Sequence, residues 1–313
     1  MPAHSNPGPP PQCGYAHDSG KAEPPSLKRA LTVDASAEIT ALVRSVLERQ
    51  GWDVVNVPTN IAALTEMERQ PFGVIITSEK TSAKEDVELL RKIRSIHPHT
   101  RVIILANEGA QADLVAAMRE HAFSYFRPPF SPDELEAILQ TAMDSPCWDD
   151  GIEVISAIPK WLRLFARRDI ETADRLVHFL SEMDSDLPVD ERRAVGTAFR
   201  EMLMNAIEHG GRFDPKEYVE ISYLRSRRAV ACRIKDPGAG FSMDEIPHAA
   251  VANPFDSPLQ HLTHRDAEGL RSGGYGLLLA RELVDELIFA EKGNEVLLIK
   301  YLDSARPAKG SPA

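Results

Sequence analysis

The sequence predicts two folded units in succession: an α/β unit on a five-stranded parallel sheet, then an α+β sandwich. Three observations carry this. From Lys28 onward, short Val- and Ile-rich runs alternate regularly with amphipathic stretches. The stretch DSPCWDDG at 144–151 then punctuates the chain with turn residues. Beyond it strands follow strands and helices follow helices, so the alternation is lost.

In the first unit the strand-like runs are ALTVDA, WDVVNV, GVIITS, RVIILAN and FSYFRP. Helical stretches separate them. In AEITALVRSVLERQG, Ile39, Leu42, Val43, Val46 and Leu47 fall on one stripe. Apolar runs with helices between them imply parallel strands covered on both faces. The helix SPDELEAILQTAM closes the unit, with Ser131 as N-cap, Pro132 as first helical residue and Glu134 at capping-box spacing. In the second unit IEVISAI and WLRLFA read as strands. IETADRLVHFLSEM and DERRAVGTAFREMLMNAIEHG read as helices. YVEISYL and AVACRIKD read as strands joined by the turn RSRR. After a long loop, GLLLARELVDEL (276–287) reads as a helix and NEVLLIKYL as a last strand. The expected boundaries are 28–145 and 152–302. Residues 1–27 and 303–313 are Pro-rich with few large apolar residues and are expected to be disordered tails.

Bulk composition narrows the function. The chain of 313 residues holds 36 Lys and Arg against 47 Asp and Glu, a formal net charge of −11. That balance argues against binding nucleic acid by neutralising phosphates. Cys13, Cys147 and Cys232 form neither a disulfide framework nor a zinc spacing. No apolar run approaches the ~20 residues that span a bilayer, and the N-terminus lacks a signal-peptide pattern. The expectation is a cytoplasmic protein that meets other proteins or a nucleotide, with no membrane or nucleic-acid partner.

The most informative stretch is REMLMNAIEHGG, 200–211. On a helix turning about 100° per residue, with Glu201 at zero, Asn205 falls at about 40°, Glu208 at about −20° and His209 at about 80°. Met202, Leu203, Met204, Ala206 and Ile207 fill the remaining arc. A solvated face is the usual reading of such charges. The wide apolar arc favours a polar stripe facing a ligand cleft on a mostly buried helix. Two glycine clusters follow, KDPGAGF at 235–241 and RSGGYGLLLARELVDEL at 271–287. Glycine lets a backbone approach a bulky anion, and a helix N-terminus offers free N–H groups to phosphate oxygens. Each cluster alone is commonplace; the three elements in this order are specific.

On these residues, 152–302 resemble the GHKL (histidine-kinase/Hsp90-like) ATPases. Within them they look like the anti-sigma-factor serine kinases of bacterial stress and sporulation switches. Glu201 and Asn205 match the E-x-x-x-N box, Asp236, Gly238 and Gly240 the D-x-G-x-G box, and Gly273, Gly274 and Gly276 the second glycine box, with Arg271 before it. Segment 241–272 matches the lid. The resemblance implies ATP and Mg²⁺ as cofactors. Asn205 would supply a hard oxygen to Mg²⁺, Asp236 would accept from the adenine amino group, and the glycines with helix 276–287 would cradle phosphates. Glu201 would be the general base toward an attacking hydroxyl, or would orient water. Arg271 is either a γ-phosphate contact or a surface lid charge. The implied partner is a STAS-type anti-anti-sigma protein phosphorylated on serine, a sigma factor, or both. The rival reading is a non-catalytic binding module whose lid ATP stabilises. Sensor histidine kinases phosphorylate a His on a helical hairpin. No such hairpin precedes this domain, so His178 reads as structural.

Residues 28–145 resemble response-regulator receiver domains of flavodoxin-like fold, including FRPPF before the last helix. The chemistry of that family is missing. Ser78 stands where the phosphorylatable Asp belongs, Asp34 is followed by Ala35 instead of a second carboxylate, Ala106 replaces the hydroxyl residue, and Pro128 the lysine. The resemblance therefore implies a pseudo-receiver, a docking or homodimerising surface with no phosphorylation switch. Tyr125, at the position of an aromatic readout, marks the expected docking face.

Overall fold

The structure is a computed structural model. It describes residues 27–78, 80–106, 110–144, 150–158, 160–211, 216–240 and 275–302, with the backbone alone for His209 and Gly211. The two expected tails, apart from Leu27, and the lid segment lie outside the described residues.

The first unit is a parallel sheet of order β2-β1-β3-β4-β5, from β1 Arg29–Val33, β2 Asp53–Val57, β3 Val74–Ile76, β4 Arg101–Leu105 and β5 Ser124–Phe126. β3 and β4 are buried at every position because helices cover both faces. On one face Val43, Val46 and Leu47 of α1 (Ala37–Leu47) meet Leu135, Ile138 and Leu139 of α5 (Pro132–Asp144). The other carries α2 (Asn60–Arg69), α3 (Ala83–Ile96) and α4 (Gln111–Arg119). Local chemistry starts these helices. Ser36, Thr59 and Ser82 accept from backbone N–H groups three residues on, and Ser82 with Glu85 forms a full capping box. Ser131 N–H donates to Glu134 Oε2 (3.1 Å), as the spacing predicts.

The second unit is an antiparallel sheet of order β10-β11-β9-β8-β7-β6. Its strands are β6 Ile152–Ile158, β7 Trp161–Arg167, β8 Tyr218–Arg225, β9 Ala229–Lys235, β10 Glu286–Phe289 and β11 Glu295–Tyr301. Burial alternates along β7, β9 and β11, so one face is inward. That face packs on α6 (Ile170–Met183), α7 (Val189–Gly211) and α8 (Gly276–Leu283). The other face carries a charge ladder in which Arg233 bridges Glu220 (3.1 Å) and Glu295 (2.6 Å). One expectation is corrected. The helix predicted over 276–287 ends at Leu283, and Glu286–Phe289 forms an edge strand paired to β11. Pairing Leu287 with Leu298 and Phe289 with Val296 satisfies the backbone there, which helical spacing alone did not reveal.

The two units share a buried seam. Arg175 on α6 is 1 % exposed. Its Nε donates to Phe123 O (2.8 Å), its Nη2 to Ala122 O (3.0 Å) and its Nη1 to Asp150 Oδ1 (3.0 Å). Burial opposes ionisation of Asp150, but Arg175 and His121 outweigh it and hold its pKa low. His178 Nε2 meets Tyr125 O at 2.9 Å, and burial pushes His178 down to about 4, so it is neutral. Gln111 Nε2 donates to Met183 O (2.7 Å), and Arg127 N–H donates to Glu182 Oε2 (3.2 Å). The Tyr125 ring is fully buried. The expected docking face at Tyr125 is thus corrected: α6 of the same chain covers β5. Removing one partner of a buried ion pair leaves the other charge uncompensated. Arg175→Met should therefore lower unfolding free energy by about 3–5 kcal/mol, measured by urea unfolding of the full chain.

Candidate nucleotide site

The predicted stripe on α7 appears at Glu201, Asn205 and Glu208, while the side chain of His209 lies outside the described residues. Ala198, Phe199, Met202, Leu203, Met204 and Ile207 are buried, while Glu201, Asn205 and Glu208 stay half-buried. Arg200 fixes the helix from behind, its Nε and Nη2 donating to Asp174 Oδ1 on α6 at 3.1 and 2.9 Å. Among the described residues the Glu201 carboxylate and the Asn205 amide have no hydrogen-bond partner. These two oxygen-bearing groups stand one turn apart on α7.

The other elements close on the same helix. Gly276, first residue of α8, lies so near Glu201 that a Cβ there would collide with Oε2. Among the described residues no side chain caps the start of α8, where helix N–H groups can meet an anion. At the far end of α7, a Cβ on Gly210 would collide with the Asp236 carboxyl, and one on Gly238 with Gly210 O and Asp236 Oδ1. Gly238 N–H donates to Asp236 Oδ1 (2.8 Å), and Asn294 Nδ2 to Asp236 O (3.0 Å), which orients the carboxylate. Burial raises the Asp236 pKa, and the Gly238 N–H and the Arg168 charge pull it back. Glu201 and Gly210 stand about 14 Å apart along the axis at about 1.5 Å per residue, the scale of an extended nucleoside triphosphate. The Asp236 acceptor at one end, and Gly276 at the start of α8 at the other, suit such a ligand.

The structure thus lines up Glu201 and Asn205 with Gly276 near one stretch of α7, and Asp236 with Gly238 at its far end by Gly210. Gly240 serves the fold as well. Its φ is +81°, and a Cβ would strike the carbonyl of Lys292. Arg271, Gly273 and Gly274 lie outside the described residues. The sequence reading missed Arg168, whose guanidinium is buried and acts on the Asp236 carboxyl.

Among the described residues the corresponding end of the first unit shows no such arrangement. Ser78 is fully buried. Its hydroxyl donates to Asp34 O (2.8 Å) and accepts from Lys80 N–H (2.9 Å), so it closes a turn. Lys80 Nζ lies 3.7 Å from Asp34 Oδ1, and Ala106 offers no hydroxyl. Phosphoryl acceptance needs a nucleophilic carboxylate with further carboxylates for Mg²⁺. We expect no phosphoryl uptake from acetyl phosphate or a histidine kinase. An acid-labile, hydroxylamine-sensitive phosphoryl group in residues 28–145 would overturn this.

A parallel five-stranded unit is thus joined to a six-stranded antiparallel sheet that carries these residues. Residues 30–140 match the response regulator receiver domain family, and residues 166–300 the histidine kinase-like ATPase domain family. The chain is a receiver domain fused to a GHKL-type ATPase domain. It is similar to the transcriptional regulatory protein GlrR of Escherichia coli (strain K12), 26% identical over 196 residues, covering 61% of this chain and 41% of that protein. It is also similar to the transcriptional regulatory protein TrcR of Mycobacterium tuberculosis, 28% identical over 112 residues, 36% of this chain and 44% of that one. The chain therefore spans less than half the length of these relatives. Among solved structures it is similar to a CheY-like receiver domain protein from Methanospirillum hungatei JF-1, at 26% identity and TM-score 0.35, covering 39% of this chain and 97% of that one. Among the described residues no helix is long and apolar enough to cross a membrane.

Proposed function

We propose that this chain is a cytoplasmic signalling regulator whose second domain binds Mg-ATP and phosphorylates a serine on a STAS-type anti-anti-sigma partner, or sequesters a sigma factor. The observation that carries the reading is Glu201. A half-buried carboxylate without a hydrogen-bond partner among the described residues, close to Gly276 at the start of α8, supports a role in taking a proton from a hydroxyl. Pure nucleotide binding has no need of such a base. Asn205 would offer its amide oxygen to Mg²⁺ one turn away, and Asp236 would accept from the adenine amino group. ATP supplies the phosphoryl group; the protein's part is to position and to move a proton.

A second reading is favoured by the first domain, which has lost its own chemistry at Ser78, Ala35 and Ala106. A chain that keeps one degenerate site can keep another, and the ATP domain would then be a binding module that presents a surface. Labelled ATP incubated with the full chain and candidate STAS proteins separates the two, with calorimetry for ATP alongside. Transfer supports the kinase. Binding without transfer to a demonstrably bound partner supports the module. A folded protein that binds no ATP sinks both.

A further inference from the structure

Arg168 is the buried charge that the site, as described so far, leaves unused. It is 1 % exposed, and its Nε and Nη2 are buried with no hydrogen-bond partner among the described residues. Such groups are rare in folded proteins and call for an absent acceptor. Its direction follows from the strands. Leu162, Leu164 and Ala166 of β7 are buried on the helix side, and Arg168 continues that alternation. On β9, Val230, Cys232 and Ile234 do the same, and Asp236 continues theirs. Pairing of Arg167 with Tyr218 and of Lys235 with Glu220 brings both ends to one edge of the sheet, separated by β8. Arg168 and Asp236 thus emerge on the same face at one edge of the sheet, two strand spacings (about 10 Å) apart, and no ion pair joins them. One carboxylate oxygen is already taken by Gly238 N–H.

A carboxylate only accepts hydrogen bonds and a guanidinium only donates them. The adenine edge offers one donor, the 6-amino group, next to one acceptor, ring nitrogen N1. We propose that Arg168 reads the base, donating to N1 while Asp236 accepts from the amino group. This rests on the ATP reading above and adds the specificity-determining residue to it.

The test is a cycle of protein and ligand. ATP and 1-deaza-ATP, whose N1 is replaced by C–H, are titrated calorimetrically into the wild-type chain, Arg168→Met and Arg168→Lys. A hydrogen bond to a charged group corresponds to roughly 10–100-fold in affinity. Wild type should prefer ATP by that factor. Arg168→Met should bind ATP as weakly as wild type binds 1-deaza-ATP, with no further loss for the analogue, and Arg168→Lys should restore part of the preference. Arg168→Met should also melt no lower than wild type, because it removes a charge with unmade bonds. Equal losses for both nucleotides, no loss for either, or a clearly lowered melting temperature would overturn the proposal while leaving the ATP reading intact. Absence of ATP binding by wild type would instead overturn the ATP reading, and this one with it.

Discussion

Glu201→Gln should leave ATP affinity nearly unchanged and lower phosphoryl transfer to a serine partner by about 10²–10⁴-fold. Glutamine keeps the size of the side chain, so it fits the same space against Gly276. It cannot accept the proton of an attacking hydroxyl. Adenine, Mg²⁺ and phosphates are assigned to other residues, so binding should persist. The measurements are calorimetry with Mg-ATP and transfer of labelled phosphate to a purified partner. Equal transfer by both proteins would mean that another group is the base. No transfer by either, with the partner bound, would move function to the binding-module reading. ATP should then still change protease sensitivity in segment 241–272.

Asn205→Ala should abolish Mg-dependent ATP binding. Mg²⁺ wants hard oxygen ligands in tight octahedral geometry, and it is held by few protein groups plus phosphates and waters. Losing the protein oxygen therefore removes a large share of the protein's hold on the ion. The fold should survive, since Asn205 is half-buried and has no hydrogen-bond partner among the described residues. Ligand at about 100 times its dissociation constant stabilises by about 2.7 kcal/mol. Wild type should thus melt higher with Mg-ATP, and the variant should not. A variant that keeps its Mg-ATP shift would remove Asn205 from the site.

Much of this was legible because its causes are local. The cap at Ser131, buried runs such as Val74–Ile76 and the stripe of Glu201, Asn205 and Glu208 depend on near neighbours in sequence. What escaped depends on distant ones. Apolar spacing continues from Leu283 to Phe289, and only the partner strand β11 decides that the helix stops. Arg168 sits in ARRDI, which reads as a charged turn; register across β7, β8 and β9 buries it. Arg175, His178 and Glu182 form a polar stripe on α6 that reads as a solvated face. Only the neighbouring domain turns it inward.

That stripe has a consequence for how the two domains drift apart in sequence. On the receiver side, Arg175 and His178 are met by the carbonyl oxygens of Ala122, Phe123 and Tyr125, and Glu182 by the N–H of Arg127. Those atoms belong to the main chain, and nearly every residue type supplies them. On the ATPase side the groups belong to particular side chains. At those positions the partnership therefore tolerates exchange of receiver residues, while Gln111, whose side chain reaches across to Met183 O, is fixed by its own chemistry. The positions of Ser78, Ala35 and Ala106 take no part in the wall that α6 leans on. A transplant of the ATPase domain into another protein would have to bring along something with β5's shape, whatever its letters.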